Sequence, residues 1–137
     1  LMHLVREAVD YQIGVTTEHT SAEQALEQGR GVCQDHAHVF IAAARELGVP
    51  ARYVNGYFFA DVEEPSEAHH AWAEVWVEAI GWVGFDPANG ICPTERYVRL
   101  AAGLDAASAA PIRGTRRGGT NEALDVVVEV QQASSQQ

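Results

Sequence analysis

Cys33, His70 and Asp86 are the residues whose types and placement could combine in nucleophilic chemistry. Cys33 follows Gly31-Val32 and opens the strongest helical pattern of the chain, residues 33–47, where Ala37, Phe40, Ile41, Ala44 and Leu47 form a continuous apolar stripe. A helix N-terminus offers free backbone N–H groups and partial positive charge, and both favour a thiolate. Cys33 lies on the apolar face, so its sulfur is directed toward whatever packs there. The alternative is a small buried hydrophobe, a common fate of a free cysteine. Position alone weighs the two readings equally.

His70 opens a run, His-Ala-Trp-Ala-Glu-Val-Trp-Val-Glu, with the period of a strand. Alternation sets His70, Trp72, Glu74 and Trp76 on one face and Ala71, Ala73, Val75 and Val77 on the other. Residues 82–86 form a shorter strand, and the connection is short enough to require an antiparallel hairpin. A loop at residues 77–79 would set Trp76 against Ile80 and Asp86 against His70. A slip of one residue would put the two on opposite faces. A carboxylate beside an imidazole fixes the ring's tautomer and stabilises the imidazolium. The alternative is a surface histidine and a turn-initiating Asp before Pro87.

The elements that must position these residues are legible in outline. Leu1, Leu4, Val5, Ala8 and Tyr11 share a helical stripe, predicting a helix over residues 2–13 ended by Gly14. Thr20 to Gln24 holds two overlapping capping boxes, predicting a short helix over 22–28. Gly48 and Pro50 close the helix of Cys33. Residues 51–60 read as a strand, 61–68 as an exposed acidic loop, 96–102 as strand or helix and 103–122 as loop. Leu124, Val126, Val128 and Val130 alternate with polar residues, predicting a final half-buried strand before the polar tail 131–137. No internal repeat is present. Helices followed by antiparallel strands define an α+β domain, here set at residues 1–130.

Composition narrows the function. The chain has 137 residues, one domain's worth, and 47% hydrophobic residues, enough to line a core. Nine basic residues against 19 acidic ones give a formal net charge of −10, a surface that repels phosphate backbones and argues against nucleic acid as the partner. No apolar run approaches the roughly 20 residues of a membrane span, and the N-terminus lacks the pattern of a signal peptide. These features point to a cytoplasmic protein with no membrane partner. The chain begins at Leu1, which suggests a piece cut from a longer protein. Cys33 and Cys92 are too few for a disulfide-stapled scaffold.

The other histidines raise the question of a metal. On a helix His36 and His38 lie about 200° apart around the axis and cannot grip one ion. On a strand His69 and His70 point to opposite faces, and Cys92 lies far from any second Cys ligand. No pair has zinc-ligand spacing, so neither metal nor cofactor is expected. Asp35, in the first helical turn, complements the helix dipole. Glu74 is either a polar lining residue near His70 or an ordinary exposed one.

Four ordered blocks resemble the bacterial transglutaminase-like proteins, which share the papain-like cysteine-enzyme fold. They are Gly31-Val32-Cys33-Gln34-Asp35-His36-Ala37-His38, Leu47-Gly48-Val49-Pro50-Ala51-Arg52-Tyr53-Val54-Asn55-Gly56-Tyr57, His70-Ala71-Trp72-Ala73-Glu74-Val75 and Gly81-Trp82-Val83-Gly84-Phe85-Asp86-Pro87. The resemblance covers residues 10–100 strongly and the final strand weakly. It implies a Cys–His–Asp triad with Cys33 as nucleophile, His70 as base and Asp86 as orienting acid. His70 is preferred to His69 because it directly precedes Ala-Trp. Two positions depart from the family pattern. Ala88 stands where Thr usually follows Asp-Pro, and Gly103-Leu104-Asp105-Ala106 replaces a segment that usually reads Gly-Arg-Asp-Tyr. Family members often carry a further N-terminal domain.

The expected reaction is acyl transfer at an amide or peptide bond through a thioester, with the Cys33 N–H as one oxyanion donor. The expected partner is a peptide or protein substrate. Hydrolysis is slightly favoured over crosslinking. All nine basic residues are Arg, so the chain has no lysine amine with which to crosslink itself. A non-catalytic peptide-binding module is the alternative of a different class, and an intact triad argues against it.

Overall fold

The computed structural model describes residues 1–59 and 69–112. The expected acidic loop at 61–68, the final strand at 124–130 and the tail at 131–137 lie outside them.

Helix α1 covers Met2–Ala8, shorter than the expected 2–13. Val9 leaves the helix in an extended conformation, and Asp10–Tyr11 forms strand β1 instead. It pairs parallel with β2, Arg30–Gly31. The Asp10 and Gln12 N–H groups donate to the Gly29 and Gly31 carbonyls at 2.9 and 2.8 Å. The stripe reading failed because Val5 and Val9 carry the burial, while Leu4 and Tyr11 are exposed. Tertiary pairing therefore decides the conformation from Val9 onward.

Helix α2, Ala22–Gln28, begins with the expected capping box: the Gln24 N–H donates to Ser21 Oγ, and Gln24 Oε1 accepts from the Ser21 N–H at 2.9 Å. Helix α3, Cys33–Glu46, ends in a Schellman arrangement, with Val49 N–H bonded to Ala44 O and Gly48 N–H to Arg45 O. Gly48 holds φ +75° there, a conformation glycine adopts without strain.

Four antiparallel strands follow: β3 (Ala51–Phe58), β4 (His69–Val77), β5 (Gly81–Phe85) and β6 (Tyr97–Gly103), in the order β5-β4-β3-β6. The segment that sequence left as strand or helix is thus an edge strand. The core is one cluster joining Ala37, Phe40, Ile41 and Ala44 of α3 to Ala51, Tyr53, Ala71, Ala73 and Val75 of the sheet. The small alanines of β4 let α3 approach closely, and Phe40 stacks on Phe85 with ring centroids 5.6 Å apart.

The hairpin register differs from the expected one by two residues. Trp76 faces Trp82, not Ile80, and Val77 faces Gly81. The loop is therefore residues 78–80, and the two indoles meet edge-on at 5.6 Å, a cross-strand aromatic pair that a Trp76–Ile80 register would lose. A two-residue shift keeps side-chain parity, so Asp86 remains on the face of His70 but reaches it diagonally.

Gly56 pairs with His70 across β3 and β4. A Cβ there would collide with the Val98 carbonyl oxygen and come within 2.6 Å of the Trp72 ring. Gly56→Ala is expected to destabilise the fold by about 3 kcal/mol, the upper end of overpacking. Urea unfolding of the two proteins measures it, and an unchanged midpoint would contradict this packing.

Candidate active site

The site is built from the first residue of α3, the start of β4 and the turn after β5. Cys33 is half-buried and has no side-chain cap on its helix, so the first-turn N–H groups face it uncapped. Asp35 shapes this entry. Its Oδ2 accepts from the Val32 N–H at 2.8 Å and from the Thr16 hydroxyl at 2.6 Å. Asp35 is buried, so it does more than complement the dipole: it ties the loop before α2 to the start of α3. Gly31 is required beside it, since a Cβ would lie 2.6 Å from Asp35. His36 braces the same corner, its Nδ1 at 2.8 Å from Val32 O and its Nε2 at 2.8 Å from Val9 O.

His70 and Asp86 are buried, and Nε2 of the ring lies 2.7 Å from Asp86 Oδ2. Cys33 lies close enough to this ring to help raise its pKa. The structure therefore brings the three sequence-predicted residues into one neighbourhood, with the carboxylate on Nε2 of the ring. Burial alone would depress the imidazole's pKa. The hydrogen bonds and charges of Asp86 and Cys33 outweigh it and raise the pKa from 6.5 to about 9. Asp86 moves the other way. Burial disfavours its charge, but the bonds to His70 and Tyr97 and the backbone bond from Asn89 hold it below the usual carboxylate value.

Two members of this network were not found from sequence. Tyr97 Oη donates to Asp86 Oδ2 at 2.7 Å, and Asn89 Nδ2 donates to the same oxygen at 2.8 Å. The Ala88 and Asn89 N–H groups donate to Oδ1 at 3.0 and 3.2 Å. Asp86, Pro87, Ala88 and Asn89 thus form an Asx-type turn closed by Gly90 N–H on Asp86 O at 2.7 Å. Arg6 of α1 clamps it by donating to Asn89 O at 3.0 Å. The pairing of Asp before a Pro-x-Asn-Gly turn was a local signal for Asn89. Tyr97 had none, because its strand could not be assigned.

Glu74 is buried and bound by Arg52 at 2.6 Å and Arg99 at 2.9 Å, so it serves the sheet as the partner of two arginines. Although burial opposes its charge, these cations hold its pKa below the ordinary value. His38 accepts from Ala106 N–H at 3.3 Å, and burial lowers its pKa. Cys92 is exposed. No group of three His, Cys, Asp or Glu among the described residues could hold a metal ion, and no helix among them is long and apolar enough to cross a membrane.

Comparison with known proteins identifies the class. Residues 1–87 match the family profile of the transglutaminase-like superfamily, and the chain belongs to that family. An uncharacterized protein of Mycobacterium leprae is 41% identical over 130 residues, which is 91% of this chain and 46% of the relative. A protein-glutamine gamma-glutamyltransferase of Pseudomonas aeruginosa is 31% identical over 86 residues, 58% of this chain and 12% of that enzyme. The crystal structure of a candidate cysteine protease from Cytophaga hutchinsonii superposes with a TM-score of 0.70 at 37% identity, over 80% of this chain and 36% of that one. The chain thus spans less than half the length of the mycobacterial relative. The mixed helix and antiparallel-sheet architecture is that of the family.

Two outcomes follow from the site. The protonated His70 ring contributes stability fully below pH 6.5, and this contribution fades as pH rises through about 9. The stability gap between the native protein and His70→Ala should therefore narrow between pH 6.5 and 9 in urea titrations; a constant gap would contradict the raised pKa. Tyr97→Phe removes one donor from a buried carboxylate and should cost about 1–2 kcal/mol in the same measurement, whereas no loss would mean that its bond to Asp86 does not form.

Proposed function

We propose that this domain is a cysteine-dependent acyl-transfer enzyme acting on amide or peptide bonds, with Cys33 as nucleophile, His70 as base and Asp86 as the residue that orients His70. The observation that carries the reading is one buried imidazole bonded at 2.7 Å through Nε2 to a buried carboxylate, beside a cysteine that opens a helix.

In the first half-reaction the Cys33 sulfur bonds to the carbonyl carbon. The oxyanion is stabilised by the Cys33 N–H at the start of α3. His70, protonated, gives its proton to the leaving nitrogen, the C–N bond breaks, and a thioester remains. In the second, His70 takes a proton from water, the hydroxide oxygen bonds to the acyl carbon, and the C–S bond breaks to release the acid and restore the Cys33 thiolate beside protonated His70. Asp86 stays ionised throughout and holds the imidazolium. A primary amine in place of water gives transamidation. The name of the Pseudomonas relative favours that second outcome; the lack of any lysine in the chain excludes only crosslinking of the domain to itself through lysine. Hydrolysis is the reading retained, because water reaches any open thioester.

Iodoacetamide at neutral pH should alkylate Cys33 ahead of Cys92, although Cys92 is the more exposed. His70→Ala should slow the reaction at Cys33 about tenfold while leaving that at Cys92 unchanged. Equal rates at the two cysteines would sink the activated nucleophile. Incubation with a glutamine peptide and a labelled amine then separates the outcomes: free acid is expected, and incorporated amine without deamidation or cleavage would establish transfer.

A further inference from the structure

A cavity of about 330 Å³ flanks the candidate active site, lined by Gln34, Tyr53, Asn55 and His69 with the exposed Glu18 and His19 at its rim. Gln34 follows Cys33 in the first turn of α3, so the cavity opens beside the helix end that carries the nucleophile, while His69 lines it from the face of β4 opposite to His70. Asn55 is the unusual member. It is only 7% exposed, and its Oδ1 is buried without a hydrogen-bond partner. The residues paired directly with it, Ala71 on β4 and Ala101 on β6, carry no group that could bond it. The β3–β6 register also shifts between Asn55 and Gly56, with Leu100 skipped. Such bulges re-aim side chains and recur beside active sites. The fold has no use for an amide here, since an apolar residue of the same size would fill the layer without an unpaired acceptor.

The ligand chemistry follows from the amide and the space. An amide with no partner to lock it can turn either end into the cavity, and a hydroxyl, which donates and accepts at one atom, pairs with both. The cavity lies at the small end of ligand sites. Glu18 at the rim and the net charge of −10 disfavour an acidic group. The geometry points to a specificity subsite in which Asn55 receives a serine or threonine hydroxyl from a peptide residue adjoining the reacting carbonyl. This rests on the reading of Cys33 as the nucleophile.

The test uses matched tripeptide vinyl sulfones that differ only in Thr against Val, placed in turn at each of the two residues preceding the warhead. The rate of Cys33 modification is read by mass spectrometry. At one of these positions the Thr probe is expected to react about tenfold faster than its Val isostere. In Asn55→Leu the ratio falls to about one, and in Asn55→Asp, which keeps an acceptor, Thr remains preferred. Equal Thr and Val rates in the native protein at both positions, or a Thr preference that survives Asn55→Leu, overturn the subsite while leaving the nucleophile intact. Probes that label Cys92 and never Cys33 overturn the nucleophile reading, and the subsite with it.

Discussion

Asp86 is fully buried, and a carboxylate in that position must be satisfied or it will not stay charged. Its two oxygens accept from His70, Tyr97, the Asn89 side chain and the Ala88 and Asn89 N–H groups. The first three arrive from β4, β6 and the turn after β5, so the anion fastens three parts of the chain at one point. Much of the local sequence follows from it: a proline and an asparagine in a tight turn, a tyrosine entering the edge strand, and an arginine on α1 that closes over the turn. The ring it holds is thereby fixed in position and kept ready to carry charge.

The second constraint is the alternation of β4. Ala71, Ala73 and Val75 face the core cluster, while His70, Trp72 and Glu74 are also buried. A strand buried on both sides tolerates little slip, and Gly56 beside His70 leaves no room for a side chain. The imidazole is therefore placed by packing before any substrate arrives. The thiol's placement depends on a different feature, the uncapped first turn of α3, which Asp35, Thr16 and His36 anchor from behind. Preorganisation of this kind is what makes a weak nucleophile useful.

The sequence spoke most clearly where pattern and local chemistry agreed. The helix of Cys33 carried a long stripe and a Gly-Pro stop; it begins where expected and ends one residue earlier. The two-residue parity of β4 put His70 and Asp86 on one face even though the register was misjudged, because a shift of two preserves faces. What could not be read was set by partners distant in sequence. Asp10 and Tyr11 left the helical pattern to pair with a segment 20 residues away. Tyr97 joined the site only because β6 paired with β3. Glu74 stayed open between a lining and an exposed residue until Arg52 of the adjacent β3 and Arg99 of β6, beyond it, closed on it.

The central claim is that one buried charge network turns Cys33 into an acyl acceptor. Its most direct test is to incubate the domain with a peptide p-nitrophenyl ester, quench in acid within the first turnover, and map the adduct by mass spectrometry. The account predicts one acyl group on Cys33, formed far more slowly in His70→Ala and absent in Cys33→Ala. An adduct spread equally over Cys33 and Cys92, or one at Cys33 that forms as fast without His70, would contradict it.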